Sequence, residues 1–223
     1  MKVLYKGTGT ALITPFTEDG VDFPALERLI EYQIESGIDS LVVLGTTGEA
    51  ATLTDEEYAD VAEFALKKIA GRVKAILGTG SNCTRKAVEK SRYAESIGAD
   101  GLLVVTPYYN KCTQNGLVKY YEDVCSAVNI PVLCYNVPAR TGVNILPRTM
   151  ERIADIPNMY GIKEACGNME QICETARLIR GKCALYSGDD NLNLAMLSIG
   201  SSGLISVASN IAPKAVSYTH LRA

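Results

Sequence analysis

Histidine is almost missing from these 223 residues: the only one, His220, stands close to the C-terminus. A Ser-His-Asp or Cys-His site needs an imidazole base, and many zinc sites use imidazole ligands. Acid–base chemistry in this chain therefore falls to Tyr, Lys, Asp, Glu or bound water. The seven cysteines (Cys83, Cys112, Cys125, Cys134, Cys166, Cys173 and Cys183) include no C-x-x-C pair. An odd, scattered set, with no secretion signal in Met1–Gly7, points to reduced thiols and a cytoplasmic protein. Most of the cysteines fall in apolar stretches and read as small buried hydrophobes. No apolar run approaches the roughly 20 residues of a membrane span. A net charge of -3 offers nucleic acid no basic stripe.

What the chain has is alternation. Eight apolar runs read as strands: Thr10–Phe16, Ser40–Leu44, Val73–Leu77, Gly101–Thr106, Pro131–Asn136, Tyr160–Lys163, Ala184–Ser187 and Gly203–Val207. They are continuously apolar, as parallel strands covered on both faces should be. Between them run amphipathic helical stretches. Leu26, Leu29, Ile30 and Ile34 share one face, as do Val61, Ala62, Ala65 and Ile69. Thr54 and Glu57 form a capping box, and Gly37, Gly71, Gly98, Gly181 and Gly200 stand where helices should stop. The segments starting at Ser36, Ile97 and Ile199 repeat one pattern: a glycine stop, then entry into an apolar strand. Eight strands alternating with helices favour an α/β fold of the (β/α)8 TIM-barrel type over an open doubly wound sheet. No break in composition marks a second domain.

In such a barrel the site lies at the C-terminal ends of the strands. Strand six ends in Lys163, in a chain that otherwise keeps lysine on helix faces or in loops. Burial disfavours an ammonium unless it is paired, and a lysine that loses its proton becomes a nucleophile. Alone, Lys163 reads equally as half of an ion pair. Gly45-Thr46-Thr47-Gly48 offers hydroxyls and backbone N–H groups to a small carboxylate or phosphate, or is a plain turn. Tyr135 could handle protons or be a buried tyrosine with a satisfied hydroxyl. Arg140 could grip a carboxylate or be merely solvated. Asp189-Asp190 has no further ligands at metal-site spacing, so no metal is expected.

Taken together, Gly45-Thr46-Thr47-Gly48-Glu49, Pro107-Tyr108-Tyr109-Asn110, Tyr135–Gly142, Gly161-Ile162-Lys163-Glu164 and Ser187-Gly188-Asp189-Asp190 closely resemble the dihydrodipicolinate synthase family. That family lies within a superfamily of pyruvate lyases that includes N-acetylneuraminate lyase. The resemblance covers roughly residues 1–215. It implies an enzyme condensing pyruvate with L-aspartate 4-semialdehyde, on the diaminopimelate route to lysine. No cofactor is implied; a Schiff base forms between Lys163 and pyruvate. It further implies that Thr46 and Thr47 hold the pyruvate carboxylate. Tyr135 shuttles protons through Thr46 to Tyr109, which arrives from a neighbouring subunit of a homotetramer built as a dimer of dimers. Arg140 binds the aldehyde's carboxylate, and Gly188 and Ile205 complete the pocket. Sialic-acid lyases usually carry another residue where Arg140 stands, which favours the synthase. The alternatives are a related pyruvate aldolase, such as N-acetylneuraminate lyase, or a non-catalytic keto-acid-binding homologue.

Two expectations concern the end of the chain and regulation. Residues 217–223 show no helical apolar period. Residues 1–216 therefore read as a barrel truncated at its C-terminus, lacking the closing helix eight and the family's helical extension, with 217–223 a non-native tail. The family's lysine-inhibition site corresponds to Ala50, Ala51, Asp55, Tyr58, Asn82, Lys86 and Tyr108. Lys86 replaces an acidic residue there, and like charge opposes a cationic inhibitor. Weak or absent inhibition by lysine is expected in a steady-state assay, and a sub-millimolar inhibition constant contradicts it.

Overall fold

The structure, a computed structural model, describes residues 3–222 and the side chains of residues 3–219. Met1, Lys2, Ala223 and the His220 side chain lie outside the described set. Eight parallel strands close into a barrel. In chain order they are Gly7–Ala11, Ser40–Val43, Lys74–Gly78, Gly101–Val105, Val132–Asn136, Met159–Glu164, Ala184–Ser187 and Gly203–Ser206. The eighth pairs with the first, through Gly7 opposite Gly203 and Thr10 opposite Ser206. Helices follow the strands and sheathe the barrel, among them Phe23–Glu35, Asp55–Ile69, Thr84–Ser96, Gln114–Ser126 and Met169–Ile179. This is the TIM-barrel arrangement.

The local signals behave as their chemistry requires. Leu26, Ile30, Val61, Ala62, Ala65 and Ile69 are buried against the strands. Glu57 N–H donates to Thr54 Oγ1 at 3.1 Å while Thr54 N–H donates to Glu57 Oε2 at 2.8 Å, so two orphan donors of the helix start are satisfied. The three repeat glycines, Gly37, Gly98 and Gly200, have φ of 80°, 91° and 98°. A side chain would strain that left-handed backbone. In each copy a strand starts three residues after the glycine, at Ser40, Gly101 and Gly203.

Three expectations change. The first strand lies at Gly7–Ala11 rather than Thr10–Phe16, and Phe16–Thr17 instead pairs with Gly20–Val21 in a small antiparallel hairpin. The apolar run at Ala11–Ile13 misleads because the strand itself is Gly-Thr-Gly-Thr. Its threonines are fully buried: Thr10 Oγ1 donates to Gln33 Oε1 at 2.7 Å, whereas Thr8 is held through its backbone, its N–H donating to Asp39 Oδ2 at 2.8 Å. Second, Pro213–Arg222 is a helix after the eighth strand, where no closing helix was expected. It is held partly by Ser217 Oγ donating to Gly37 O at 3.1 Å, an anchor that apolar periodicity does not reveal. Third, Lys74 opens a strand, although exposed and paired with Asp100 at 2.7 Å.

The barrel floor is aromatic. Tyr5 and Tyr186 stack with ring centroids 4.8 Å apart. Tyr186 OH donates to Tyr5 O at 2.7 Å, and Tyr5 OH to Leu204 O at 3.1 Å. Register places Tyr186 opposite Lys163 across strands seven and six. The floor therefore closes the interior beneath the strand ends. Tyr186→Phe keeps the stack and strands the buried Tyr5 carbonyl, so it should lower the unfolding free energy by about 1–3 kcal/mol. Urea denaturation checks this, and an unchanged midpoint contradicts it.

Candidate active site at the strand ends

Side chains alternate along a strand, so a parallel pair presents matched residues to the same face. Tyr135 on strand five is opposite Lys163 on strand six, and Asn136 is opposite Glu164. Tyr135 joins the apolar cluster inside the barrel, and Lys163 beside it is only 3% exposed. Lys163 Nζ sits 4.2 Å from the centre of the Tyr135 ring. It forms no ion pair among the described residues, so the ion-pair reading of this lysine falls away. Burial brings its pKa down to about 8, aided by the Arg140 charge and opposed by Asp189 and Asp190. The same burial pushes the Tyr135 hydroxyl up to about 12; Arg140 pulls it down and Asp189 pushes it up. An amine partly neutral near physiological pH is a competent nucleophile. A tyrosine that keeps its proton beside it is a competent proton donor.

Gly188, in the turn after strand seven, presses on this lysine. Its N–H donates to Glu164 O at 2.8 Å. A Cβ there would lie 3.1 Å from Lys163 Cε and 2.9 Å from the Ala165 Cβ. Asp190 is occupied structurally rather than waiting for a cation. Its carboxylate accepts from Ser206 Oγ at 2.5 Å and from the Val207 and Ala208 N–H groups at 3.1 Å each. No group of three or more metal-ligating side chains occurs among the described residues.

Above the lysine, the strand-end loops enclose a cleft of about 850 Å³. Thr46, Tyr109, Tyr135 and Arg140 all line it, so the structure brings these predicted residues together. Thr47, Gly188, Ile205 and Lys163 itself are not in its lining; Lys163 sits beside the lining residue Tyr135 and next to Gly188, and Ile205 is buried within the barrel. Tyr109 is 88% exposed. Ala50, Ala51, Asn82, Lys86 and Tyr108 line the same cleft. Asp55 and Tyr58 act on it indirectly, through Lys90: its Nζ lies 4.2 Å over the Tyr58 ring, and burial lowers its pKa against the pull of Asp55. Among the described residues five non-glycine positions have positive φ, and four of them, Leu44, Glu49, Tyr109 and Lys111, line this cleft. Strained backbone gathers where a site must hold an unusual shape.

Sequence reasoning passed over Asn136 and Glu164. Glu164 is 1% exposed, and burial pushes its carboxyl up to about 7. Asn136 Nδ2 donates to its two oxygens at 2.9 and 3.2 Å. The available signal was a second charged residue directly after Lys163 on a buried strand, which period two turns to the opposite face. The cysteines also divide more evenly than expected. Cys125, Cys134 and Cys183 are buried, Cys83, Cys112 and Cys166 half-buried, and Cys173 exposed.

A sequence profile described as the dihydrodipicolinate synthetase family matches residues 4–219. The 4-hydroxy-tetrahydrodipicolinate synthase of Clostridium tetani is 50% identical over 214 residues, 96% of this chain and 73% of that protein. Among solved structures, a chloride-inhibited dihydrodipicolinate synthase from Acinetobacter baumannii in complex with pyruvate is 45% identical with a TM-score of 0.95. The match covers 97% of this chain and 75% of that one. A lysine-bound enzyme of the same kind from Cyanidioschyzon merolae is 39% identical, TM-score 0.92, over 96% of this chain and 74% of that one.

The buried lysine has a thermodynamic signature. An ordinary lysine titrates near 10.5 and the folded one at about 8. Below pH 8 both states carry the proton, and the folded state bears the full desolvation penalty, about 3 kcal/mol for this difference. Between pH 8 and 10.5 the unfolded chain binds more protons, so stability rises with pH until the penalty is gone. Lys163→Met should therefore be about 1–3 kcal/mol more stable than wild type at pH 7, with the gap closing above pH 10. Urea denaturation across pH tests this, and a variant less stable than wild type at pH 7 contradicts it.

Proposed function

Because the chain belongs to the dihydrodipicolinate synthetase family and buries an unpaired lysine beside a tyrosine, we propose that it condenses pyruvate with L-aspartate 4-semialdehyde to give 4-hydroxy-tetrahydrodipicolinate. The observation that carries this is Lys163, an amine at a pKa of about 8 with its Nζ 4.2 Å from the Tyr135 ring. The neutral amine attacks the C2 carbonyl of pyruvate, forming a C–N bond, and loss of the oxygen as water leaves an iminium. The iminium withdraws electrons, so a proton leaves the methyl carbon and an enamine forms. That carbon attacks the aldehyde, making the new C–C bond and an alkoxide that takes a proton. The substrate's own amine then displaces Lys163, which closes the ring and frees the lysine.

The remaining roles follow from placement. Tyr135 supplies and recovers protons, with Thr46 and Tyr109 on the same cleft wall extending the relay. Thr46 and Thr47 bind the pyruvate carboxylate through hydroxyl and backbone donors. Arg140, exposed on the short helix Pro138–Thr141, grips the aldehyde's carboxylate. Tyr109, 88% exposed, suits a residue that completes the site of a second copy in a homotetramer. A reaction run on the lysine amine alone needs no bound cofactor.

Borohydride reduction in the presence of pyruvate should add one reduced pyruvyl group to the wild-type protein and none to Lys163→Ala. Trapping should quicken with pH through a midpoint of about 8. Arg140→Ala should trap pyruvate normally while losing about 100-fold in kcat/KM for the semialdehyde, as befits a lost charge-assisted clamp. Wild-type protein that traps nothing, or Lys163→Ala that traps as well as wild type, contradicts the assignment.

A further inference from the structure

We propose that Asn136 and Glu164 form a positioning pair that fixes Lys163, Tyr135 and Arg140 in one frame, an inference that rests on reading the site as a pyruvate Schiff-base site. Each partner follows an active residue in the chain and faces the opposite way. With Tyr135 opposite Lys163 and Asn136 opposite Glu164, the inner pair faces the barrel interior and the outer pair the helix layer. Any shift of the outer pair therefore shifts the inner one.

The outer pair is tied on every side. Glu164 Oε1 accepts from Asn136 Nδ2 at 2.9 Å and from Cys166 N–H at 2.9 Å, joining strand five to the turn after strand six. Asn136 Oδ1 accepts from Ile145 N–H at 2.9 Å. That bond closes the segment 137–145, which carries Arg140, back onto the strand it left. Beyond it, Asn144 Oδ1 accepts from Asn136 Nδ2 at 2.9 Å and from Gln171 Nε2 at 3.0 Å, while Asn144 Nδ2 donates to Gln171 Oε1 at 2.8 Å. One buried amide thus links the lysine strand, the tyrosine strand and the arginine loop.

Neither partner touches the reacting atoms. The titratable groups around Glu164 are Cys134 and Cys166, and those acting on Lys163 are Tyr135, Arg140, Asp189 and Asp190. Glu164 thus acts on the lysine by holding its strand, and its charge is not what activates it. Condensation needs nucleophile, proton donor and carboxylate clamp in register, and a misplacement of about 1 Å costs about 100-fold in rate.

The test compares Glu164→Gln, Glu164→Ala and Gln171→Ala, with melting temperatures measured alongside. Glu164→Gln keeps an oxygen acceptor for Asn136 Nδ2 and Cys166 N–H, and should trap pyruvate and turn over close to wild type with an unshifted pH midpoint. Glu164→Ala should lose about 100-fold in kcat and in trapping rate while still folded. Gln171→Ala, which loosens only the arginine-loop side, should raise KM for the semialdehyde and leave pyruvate trapping unchanged. A folded Glu164→Ala with wild-type kcat overturns the proposal. So does a Glu164→Gln variant as damaged as Glu164→Ala, or an unmoved KM in Gln171→Ala. If Glu164→Ala does not fold, the other two variants decide. If wild-type protein traps no pyruvate, the reading of the site fails, and the pair is judged without substrate. The pH midpoint of Lys163 carbamylation by cyanate should then rise from about 8 towards that of a free lysine in Glu164→Ala. An unmoved midpoint overturns the proposal.

Discussion

The constraint on which the rest of this structure depends is the removal of one ammonium from water. Lys163 sits within a closed barrel among a largely apolar and aromatic inner cluster, with Tyr186 opposite it in register and Tyr135 beside it. Desolvation alone would make the position expensive. The fold neither pairs the charge nor expels it. Asp189 and Asp190 act on it without forming an ion pair, so the amine is shifted rather than neutralised outright. A contact carboxylate would have stabilised the folded state and silenced the nucleophile. The balance exchanges stability for reactivity, as functional sites commonly do.

Holding that balance requires rigidity around the lysine. A Cβ at Gly188 would press on Lys163 Cε at 3.1 Å and displace the Ala165 Cβ, which it would meet at 2.9 Å, so only glycine packs there undisturbed. The tyrosine floor closes the interior below. Above, Leu44, Glu49, Tyr109 and Lys111 hold left-handed backbone, and the loops so shaped form the cleft walls. On the outer face the Asn136–Glu164 link ties strands five and six together. A mobile lysine would gain water and recover an ordinary pKa.

The parts of this architecture carried by short-range chemistry were legible in the sequence. Apolar runs, the Thr54 cap and the glycine stops follow from backbone geometry and periodicity, and the strand ends placed Lys163, Tyr135, Thr46 and Arg140 near one another. Features that depend on long-range polar partners were not legible. The first strand buries two threonines, held by the Thr10 hydroxyl on Gln33 and the Thr8 backbone N–H on Asp39, which no apolar pattern marks. The helix Pro213–Arg222 is anchored in part by Ser217 on Gly37 O, across most of the chain. Glu164 looked like an ordinary charge after a lysine, because only the pairing register reveals that Asn136 meets it. Sequence alone also left Lys163 balanced between ion pair and nucleophile, a choice that depends on where carboxylates sit in space.

The most direct measurement of the central claim is the titration of Lys163 itself, followed by the ¹³C shift of its Cε in the substrate-free protein. A midpoint of about 8 agrees with an amine held unpaired inside the barrel. A midpoint near 10.5, the value of an ordinary lysine, contradicts it.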